Sequence, residues 1–264
     1  MAASTPRSLI EWLILQVKLL IIWFLKAGPM PKHIGFIMDG NRRYSRTKGI
    51  PVRDGHSDGF AAMRRVLELC FRLDVKCVSV YAFSIENFKR SQDEVDNIMT
   101  LAKEGLEGFC EQDDLLQANG VRLNVIGDRS LLPPDVKEAV LKAETLTRNN
   151  SRAILNICFP YTSRHEMTCA IDAAAKGSLP GAELTERDVD FNLFTTQGLS
   201  PPVDIFIRSS GVTRLSDFLL WQSCENTQIH FTQTYWPQYG LRELGPVLLD
   251  YQRRVWHKRV GFRT

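Results

Sequence analysis

Apolar positions along the chain fall into two rhythms. Apolar runs at 33–39, 76–83, 121–127, 153–159, 203–208 and 228–231 predict strands, the first of them suited to a buried parallel strand. Between them, apolar residues recur at helical spacing, predicting helices over 57–73, 92–118, 134–148, 163–176, 185–196, 214–224 and 240–257. The third strand-to-helix unit shows the pattern well: Pro134 opens the helix, and Asp135 and Glu138 follow in its first turns. Strand–helix alternation implies right-handed crossovers and a mainly parallel central sheet flanked by helices. Gly177 to Gly181 is the best loop candidate, but it is too short to separate domains, so residues 29–264 form one α/β domain.

The N-terminal stretch follows neither rhythm. Residues 1–8 are mostly small or polar, whereas Leu9 to Leu25 carries only three polar side chains, Glu11, Gln16 and Lys18. Glu11 and Lys18 share one line of a helix, the rest of whose surface is apolar, with Trp12 and Trp23 near its ends. Such a segment is at the lower length limit for crossing a bilayer. Its polar groups favour a helix lying in the membrane interface, with packing on the domain or on a partner as the alternative. No small-residue cleavage site follows, so a cleaved secretory signal is not expected. Residues 1–28 are therefore a tail plus a membrane-associated apolar helix.

Composition narrows the class. A net charge of +3 on 264 residues is too mild for a nucleic-acid protein and suits a local basic site for an anionic ligand. The six cysteines form no C-x-x-C pair, and Cys77 and Cys158 lie inside apolar runs, which suits a reducing compartment without disulfides or zinc. His165, Glu166 and His230 make no zinc spacing. G-x-S-x-G, P-loop and G-x-G-x-x-G motifs are absent.

The candidate chemistry lies where strands stop. The first ends in Asp39-Gly40-Asn41-Arg42-Arg43: turn residues, one carboxylate for a hard cation, and two guanidinium forks for phosphate. That is a metal–diphosphate site or an ordinary turn with solvated charges. The second strand ends in Ser84, Glu86, Asn87, Lys89 and Arg90, and the third in Gly127-Asp128-Arg129. The fifth ends in Arg208-Ser209-Ser210-Gly211, then Arg214 and Ser216, expected to lead into a helix N-terminus. Parallel strands bring these ends to one rim. His56, between two glycines at an expected helix start, is a diphosphate donor, an acid–base group or a structural histidine. Tyr81, Phe83 and Phe88 belong to the core or line an apolar channel.

Taken together, HIGFIMDGNRRY, GHSDGF, VYAFSIENFKR, LNVIGD, RSSGVTRLSDFLLWQ and Tyr235-Trp236-Pro237 resemble the cis-prenyltransferases (the undecaprenyl diphosphate synthase family). The likeness covers roughly residues 29–257 and leans toward the eukaryotic catalytic subunits that make dehydrodolichyl diphosphate. It implies condensation of isopentenyl diphosphates onto farnesyl diphosphate with cis double bonds, for dolichol phosphate and protein glycosylation. It also implies a hydrophobic tunnel beside the sheet. By the same resemblance, Asp39 would hold Mg²⁺, with Asn87 and Arg90 organising the reacting groups. Gly40, Asn41, Arg42, Arg43 and His56 would take the allylic diphosphate, and Arg208, Arg214 and Ser216 the isopentenyl diphosphate. The implied setting is the cytosolic face of the endoplasmic reticulum membrane or lipid droplets. The protein would work as a homodimer or beside a Nogo-B-receptor-like subunit.

Four departures from the family pattern matter. The second acidic metal ligand of bacterial relatives falls here on Asn226, Thr227 and Gln228, with Glu225 close by, and the segment is one residue longer. The family's Ser-Gly-Glu reads Ser210-Gly211-Val212. The motif Arg-x-Gly, which completes a neighbour's site, is either Arg259-Val260-Gly261 or absent from a merely basic tail. Two other functions compete: a non-catalytic scaffold subunit of the same fold, and a phosphohydrolase with Asp39 as nucleophile. The second lacks the usual further aspartate, because position 41 is Asn41.

Overall fold

The computed structural model describes residues 9–110, 115–178 and 183–260. In chain order the helices and strands are α1 (Leu9–Lys26), β1 (His33–Ile37), α2 (Asn41–Lys48), α3 (Val52–Arg72), β2 (Cys77–Tyr81) and α4 (Gln92–Gly108). They continue with α5 (Leu115–Ala118), β3 (Val121–Ile126), α6 (Pro134–Thr147), β4 (Ala153–Cys158) and α7 (Ser163–Gly177). The last are α8 (Glu186–Asn192), α9 (Phe194–Gln197), β5 (Ile205–Arg208), β6 (Gln228–Phe231) and α10 (Leu241–Val260).

All six strands pair in parallel, in the order β3-β4-β2-β1-β5-β6. β1 is buried at every position, as a central parallel strand with helices on both faces must be. The larger core packs α3, α4, α6 and α10 on one face of the sheet. On the other face, Phe206, Phe218, Leu219 and Tyr161 form a smaller core, with α7 and α8 adding Ala170 and Val189. The chain leaves β1 toward β2 on one side, while β5 and β6 lie on the other. The junction of β1 and β5 is therefore the topological switch point, where ligands settle beyond the strands' C-terminal ends.

The strand expectations hold to within two residues, but several helices differ. Residues 41–48 form a helix where a turn was expected; α3 starts at Val52 rather than 57, so His56 sits inside it. The helix expected over 92–118 ends at Gly108, with α5 as a separate turn. The one expected over 185–196 breaks at Leu193, where ψ of 143° is extended. Residues 214–224 are not a helix: Ser216, Asp217 and Leu219 take left-handed φ of 50°, 60° and 45°, and only Trp221–Ser223 makes a 3₁₀ turn.

One edge of the sheet is closed by side chains. On β3, the Leu123 amide donates to Thr147 Oγ1 (3.1 Å) and the Val125 amide to Glu144 Oε1 (2.8 Å), so α6 stands in for a missing strand. α1 is fixed at its root, where Leu25 is buried, Gln252 Nε2 donates to the Leu25 carbonyl (2.6 Å), and Lys26 pairs with Asp74 (2.5 Å). Above the root its apolar residues face outward, Leu9 being 72% and Trp23 70% exposed. No helix among the described residues is long and apolar enough to cross a membrane.

A polar chain runs through the sheet's buried centre. His33 bonds the Pro201 carbonyl and Ser79 Oγ, both at 2.7 Å, and Asn156 Nδ2 donates to Ser79 Oγ at 2.9 Å. Complete burial lowers the His33 pKa from 6.5 to about 4, overriding the Pro201 bond and the Asp204 charge, which act to raise it. A depressed pKa means the unfolded chain takes up the proton first. The stabilisation is complete above pH 6.5 and is lost as pH falls toward 4, by about 3 kcal/mol in all. Urea unfolding at stepped pH should show this loss between pH 6.5 and 4, and His33→Asn should flatten the slope in that window.

Candidate active site

At the switch point β1 runs into Asp39 and β5 into Arg208. Arg208 is 3% exposed; its Nη2 donates to Asp39 Oδ2 (2.9 Å) and its Nη1 to the Arg214 carbonyl (2.5 Å) and Ser216 Oγ (2.6 Å). Arg43 stands on the other side of Asp39, 3.4 Å from Oδ2, and bonds the carbonyl and hydroxyl of Ser210 (2.9 and 2.5 Å). Its guanidinium lies 5.6 Å from the centre of the Tyr235 ring. Burial alone would raise the Asp39 pKa. Bonds from Arg208 and Ser210 and the charges of Arg208 and Arg43 overcome that, so the carboxyl titrates below its ordinary value and stays ionised.

The turn after Asp39 depends on its glycine. Gly40 has φ of 106°, and a Cβ there would lie 2.8 Å from Tyr235 and 2.9 Å from Ser210. α2 then lies against two notches in α3: a Cβ on Gly55 would strike Ser45 Oγ (1.9 Å), and one on Gly59 would strike Asn41 Oδ1 (2.6 Å). The glycines flanking His56 therefore let α2 approach closely enough to hold Asn41 and Arg42 over the rim.

A second cationic group surrounds Glu94, in the first turn of α4. Arg90 Nη1 bonds Glu94 Oε1 (2.8 Å), while His56 Nε2 and Arg42 Nη1 each lie 3.7 Å from its carboxylate. Burial lowers the His56 pKa, Glu94 opposes this, and Arg90 and Arg42 reinforce it; the ring is neutral near pH 7. Asn87 caps its own turn, its Oδ1 accepting from the Ser84 amide (3.2 Å), which leaves its side-chain N–H groups for the rim.

These groups open onto one cavity of about 600 Å³. Asp39, Asn41, Arg42, His56, Asn87, Arg90, Arg208, Arg214 and Ser216 line it. The rest of the wall is apolar: Phe60 and Met63 from α3, Ile98, Leu101, Ala102 and Leu106 from α4, Val125 and Ile157 from the sheet, and Phe83 and Phe159 just beyond the ends of β2 and β4. Charged donors at one end and hydrocarbon at the other suit a ligand with an anionic head and an apolar tail.

The expected rim therefore assembles apart from Gly127-Asp128-Arg129, where Gly127 and Arg129 line a separate cleft and Arg129 pairs with Glu144 (2.7 Å), and with three further qualifications. Gly40 and Arg43 are not among the residues that line the cavity; Arg43 instead pairs with Asp39 and bonds Ser210. Gly261 lies outside the described residues, and of Arg259 only its backbone, in α10, is described. Glu225 to Gln228 lie where β6 begins, at the end of the sheet away from Asp39. Among the described residues no group of three or more metal-ligating side chains occurs. Glu94 was not anticipated, because an acid in a helix's first turn reads as ordinary capping. Arg164, which belongs to no motif, and Asp217, which follows Ser216 in RSSGVTRLSDFLLWQ but had no role expected of it, also line the cavity.

The family model described as putative undecaprenyl diphosphate synthase matches residues 37–261. A dehydrodolichyl diphosphate synthase complex subunit of Schizosaccharomyces pombe is 44% identical over 92% of this chain and 93% of its own length. A human protein of the same description is 44% identical over 86% of this chain and 69% of its own. Among solved structures, lavandulyl diphosphate synthase from Lavandula x intermedia, in complex with dimethylallyl diphosphate, superposes with a TM-score of 0.78 at 28% identity. It covers 84% of this chain and 95% of that one. A probable undecaprenyl diphosphate synthase from Campylobacter jejuni gives 0.69 at 30% identity, over 86% and 97%. With strands, rim and cavity arranged as described and this family matched across most of its length, the chain belongs to the undecaprenyl diphosphate synthase family of prenyltransferases.

Proposed function

We propose that the chain is a cis-polyprenyl diphosphate synthase that adds successive isopentenyl units to farnesyl diphosphate, supplying dolichol phosphate for glycosylation. The observation that carries this is the single cavity with a guanidinium-rich mouth and an apolar bore. The allylic diphosphate sits by Asn41, Arg42, His56 and Arg90, and the isopentenyl diphosphate by Arg208, Arg214 and Ser216. In each cycle the allylic C–O bond breaks, a new C–C bond forms to the isopentenyl unit, and that unit loses a proton. The leaving diphosphate gains charge, which the mouth's fixed cations stabilise without reorganisation. The allylic fragment becomes electron-poor, so the apolar wall excludes water from it.

Mg²⁺ fits the donor set through Asp39, an ionised and half-buried carboxylate; this ion typically takes one or two carboxylates plus substrate phosphates. When bound, it would neutralise phosphate charge beside the arginines. A long polyprenyl chain outgrows this cavity and becomes a lipid. The exposed apolar surface of α1, rooted at Asp74 on the end of the sheet away from the rim, supports binding in the interface of a membrane, the cytosolic face of the endoplasmic reticulum or a lipid droplet. A second subunit, identical or Nogo-B-receptor-like, is supported by the exposed Ile229 and Phe231 on the edge strand β6 and by relatives named as complex subunits.

The test is to assay the purified full chain with farnesyl diphosphate, labelled isopentenyl diphosphate and Mg²⁺, and to size the products. Long cis products from the chain alone support a self-sufficient enzyme, and their loss in Arg259→Ala supports the C-terminal motif. Activity that appears only on adding a partner supports the heteromer. Inactivity under both conditions leaves the scaffold subunit as the function.

A further inference from the structure

The turn that carries Arg214 and Ser216 is held in a costly backbone shape. Ser216, Asp217 and Leu219 all have positive φ without being glycine. Left-handed residues persist only where the surroundings over-determine them, so the surroundings identify what fixes the turn. The N-terminus of α7 supplies that grip. The Ser163 amide donates to the Asp217 carbonyl (2.7 Å), and the Arg164 amide donates to Asp217 Oδ1 (3.0 Å). Arg164 Nε donates to Asp217 Oδ2 (2.8 Å), and the Leu220 amide to Ser163 Oγ (3.0 Å). Beneath the turn, Phe218 is fully buried and stacks on Tyr81 at 4.6 Å.

We propose that Asp217, seated on the first turn of α7, is a positioning residue for the isopentenyl diphosphate side of the site. Its carboxylate hydrogen-bonds Arg164 of α7 rather than any side chain assigned to the substrates. It sets the turn so that the Arg214 carbonyl and Ser216 Oγ receive Arg208 Nη1, and Arg208 in turn presents Nη2 to Asp39. The seat is chiefly Asp217 on the backbone amides. The Arg164 side chain is 71% exposed, so its ion pair is screened and adds little. This rests on the reading that Arg208, Arg214 and Ser216 bind isopentenyl diphosphate.

The test is a kinetic split on the full chain, assayed with its partner if one is required. Asp217→Ala should raise the isopentenyl diphosphate KM by about tenfold or more while leaving the farnesyl diphosphate KM within about twofold. Asp217→Asn keeps an oxygen for the Arg164 amide and tolerates left-handed φ, so it should restore the KM to within about threefold of the parent. Arg164→Ala should change it by less than about threefold. Thermal unfolding accompanies each variant. Asp217→Gly, which carries no left-handed penalty, should reproduce the KM rise of Asp217→Ala if the latter folds poorly. Both KM values rising together, or Asp217→Asn failing to rescue, would overturn the proposal. Arg214→Ala separates the two levels: if it leaves the isopentenyl diphosphate KM unchanged, the substrate assignment is wrong. If it raises that KM and the Asp217 variants do not, only the positioning role fails.

Discussion

Asp39→Asn should lower turnover by about 10³-fold or more, equivalent to about 4 kcal/mol of transition-state stabilisation. The substitution is nearly isosteric and keeps an oxygen to accept from Arg208 Nη2, so the bond at 2.9 Å survives while the charge is lost. Arg208 then loses its only carboxylate neighbour within salt-bridge distance among the described residues, yet retains the Arg214 carbonyl and Ser216 Oγ. The expected stability loss is about 1–2 kcal/mol, less than for emptying a fully buried ion pair, because Asp39 is partly solvated. Incorporation of labelled isopentenyl diphosphate, measured beside an unfolding curve, separates chemistry from folding. A folded Asp39→Asn protein with near-parental turnover would remove the carboxylate from the mechanism.

The second large effect concerns product length. Ile98, Leu101, Ala102, Gly105 and Leu106 fall on one stripe of α4 and line the apolar bore. Gly105 is required there by packing, since a Cβ would meet the Phe60 ring at 2.6 Å. Ala102 faces the open volume, so Ala102→Phe adds a ring to a cavity of about 600 Å³ without forcing the closed core apart. Products should shift to distinctly shorter chains while the isopentenyl diphosphate KM stays within about threefold, because the mouth is untouched. Chromatography of dephosphorylated products reads the shift. An unchanged distribution would mean that the growing tail lies elsewhere.

Much of this was legible in the sequence, for definite physical reasons. A parallel strand covered on both faces reads as an apolar run, which placed β1 to β5, whereas the edge strand β6 alternates half-buried and exposed residues; parallel pairing then fixed which residues share a rim. The segments that misread are those in which tertiary contacts override the local pattern. Asn41–Lys48 is almost wholly polar and has no apolar stripe of its own; it is helical because glycine notches in α3 admit Asn41 and Ser45. Residues 214–224 carry a helix-like apolar spacing, but Phe218 and Leu219 enter the core from a left-handed turn that α7 holds. Glu94 was invisible for a different reason: beside its i,i+4 partner Arg90 it reads as an ordinary helix-surface pair, and only the fold brings Arg42 and His56 to it from two other segments.

The proposed function requires one cavity to grip diphosphate at its mouth and hydrocarbon along its bore. A crystal structure of the full chain with Mg²⁺ and a non-reactive thio analogue of farnesyl diphosphate measures this directly. Phosphate oxygens should lie among Asn41, Arg42, His56 and Arg90 with the metal on Asp39, and the prenyl tail between Phe60 and Met63 of α3 and the Ala102 stripe of α4. A diphosphate bound on another face of the sheet, or a tail lying outside that bore, would contradict it.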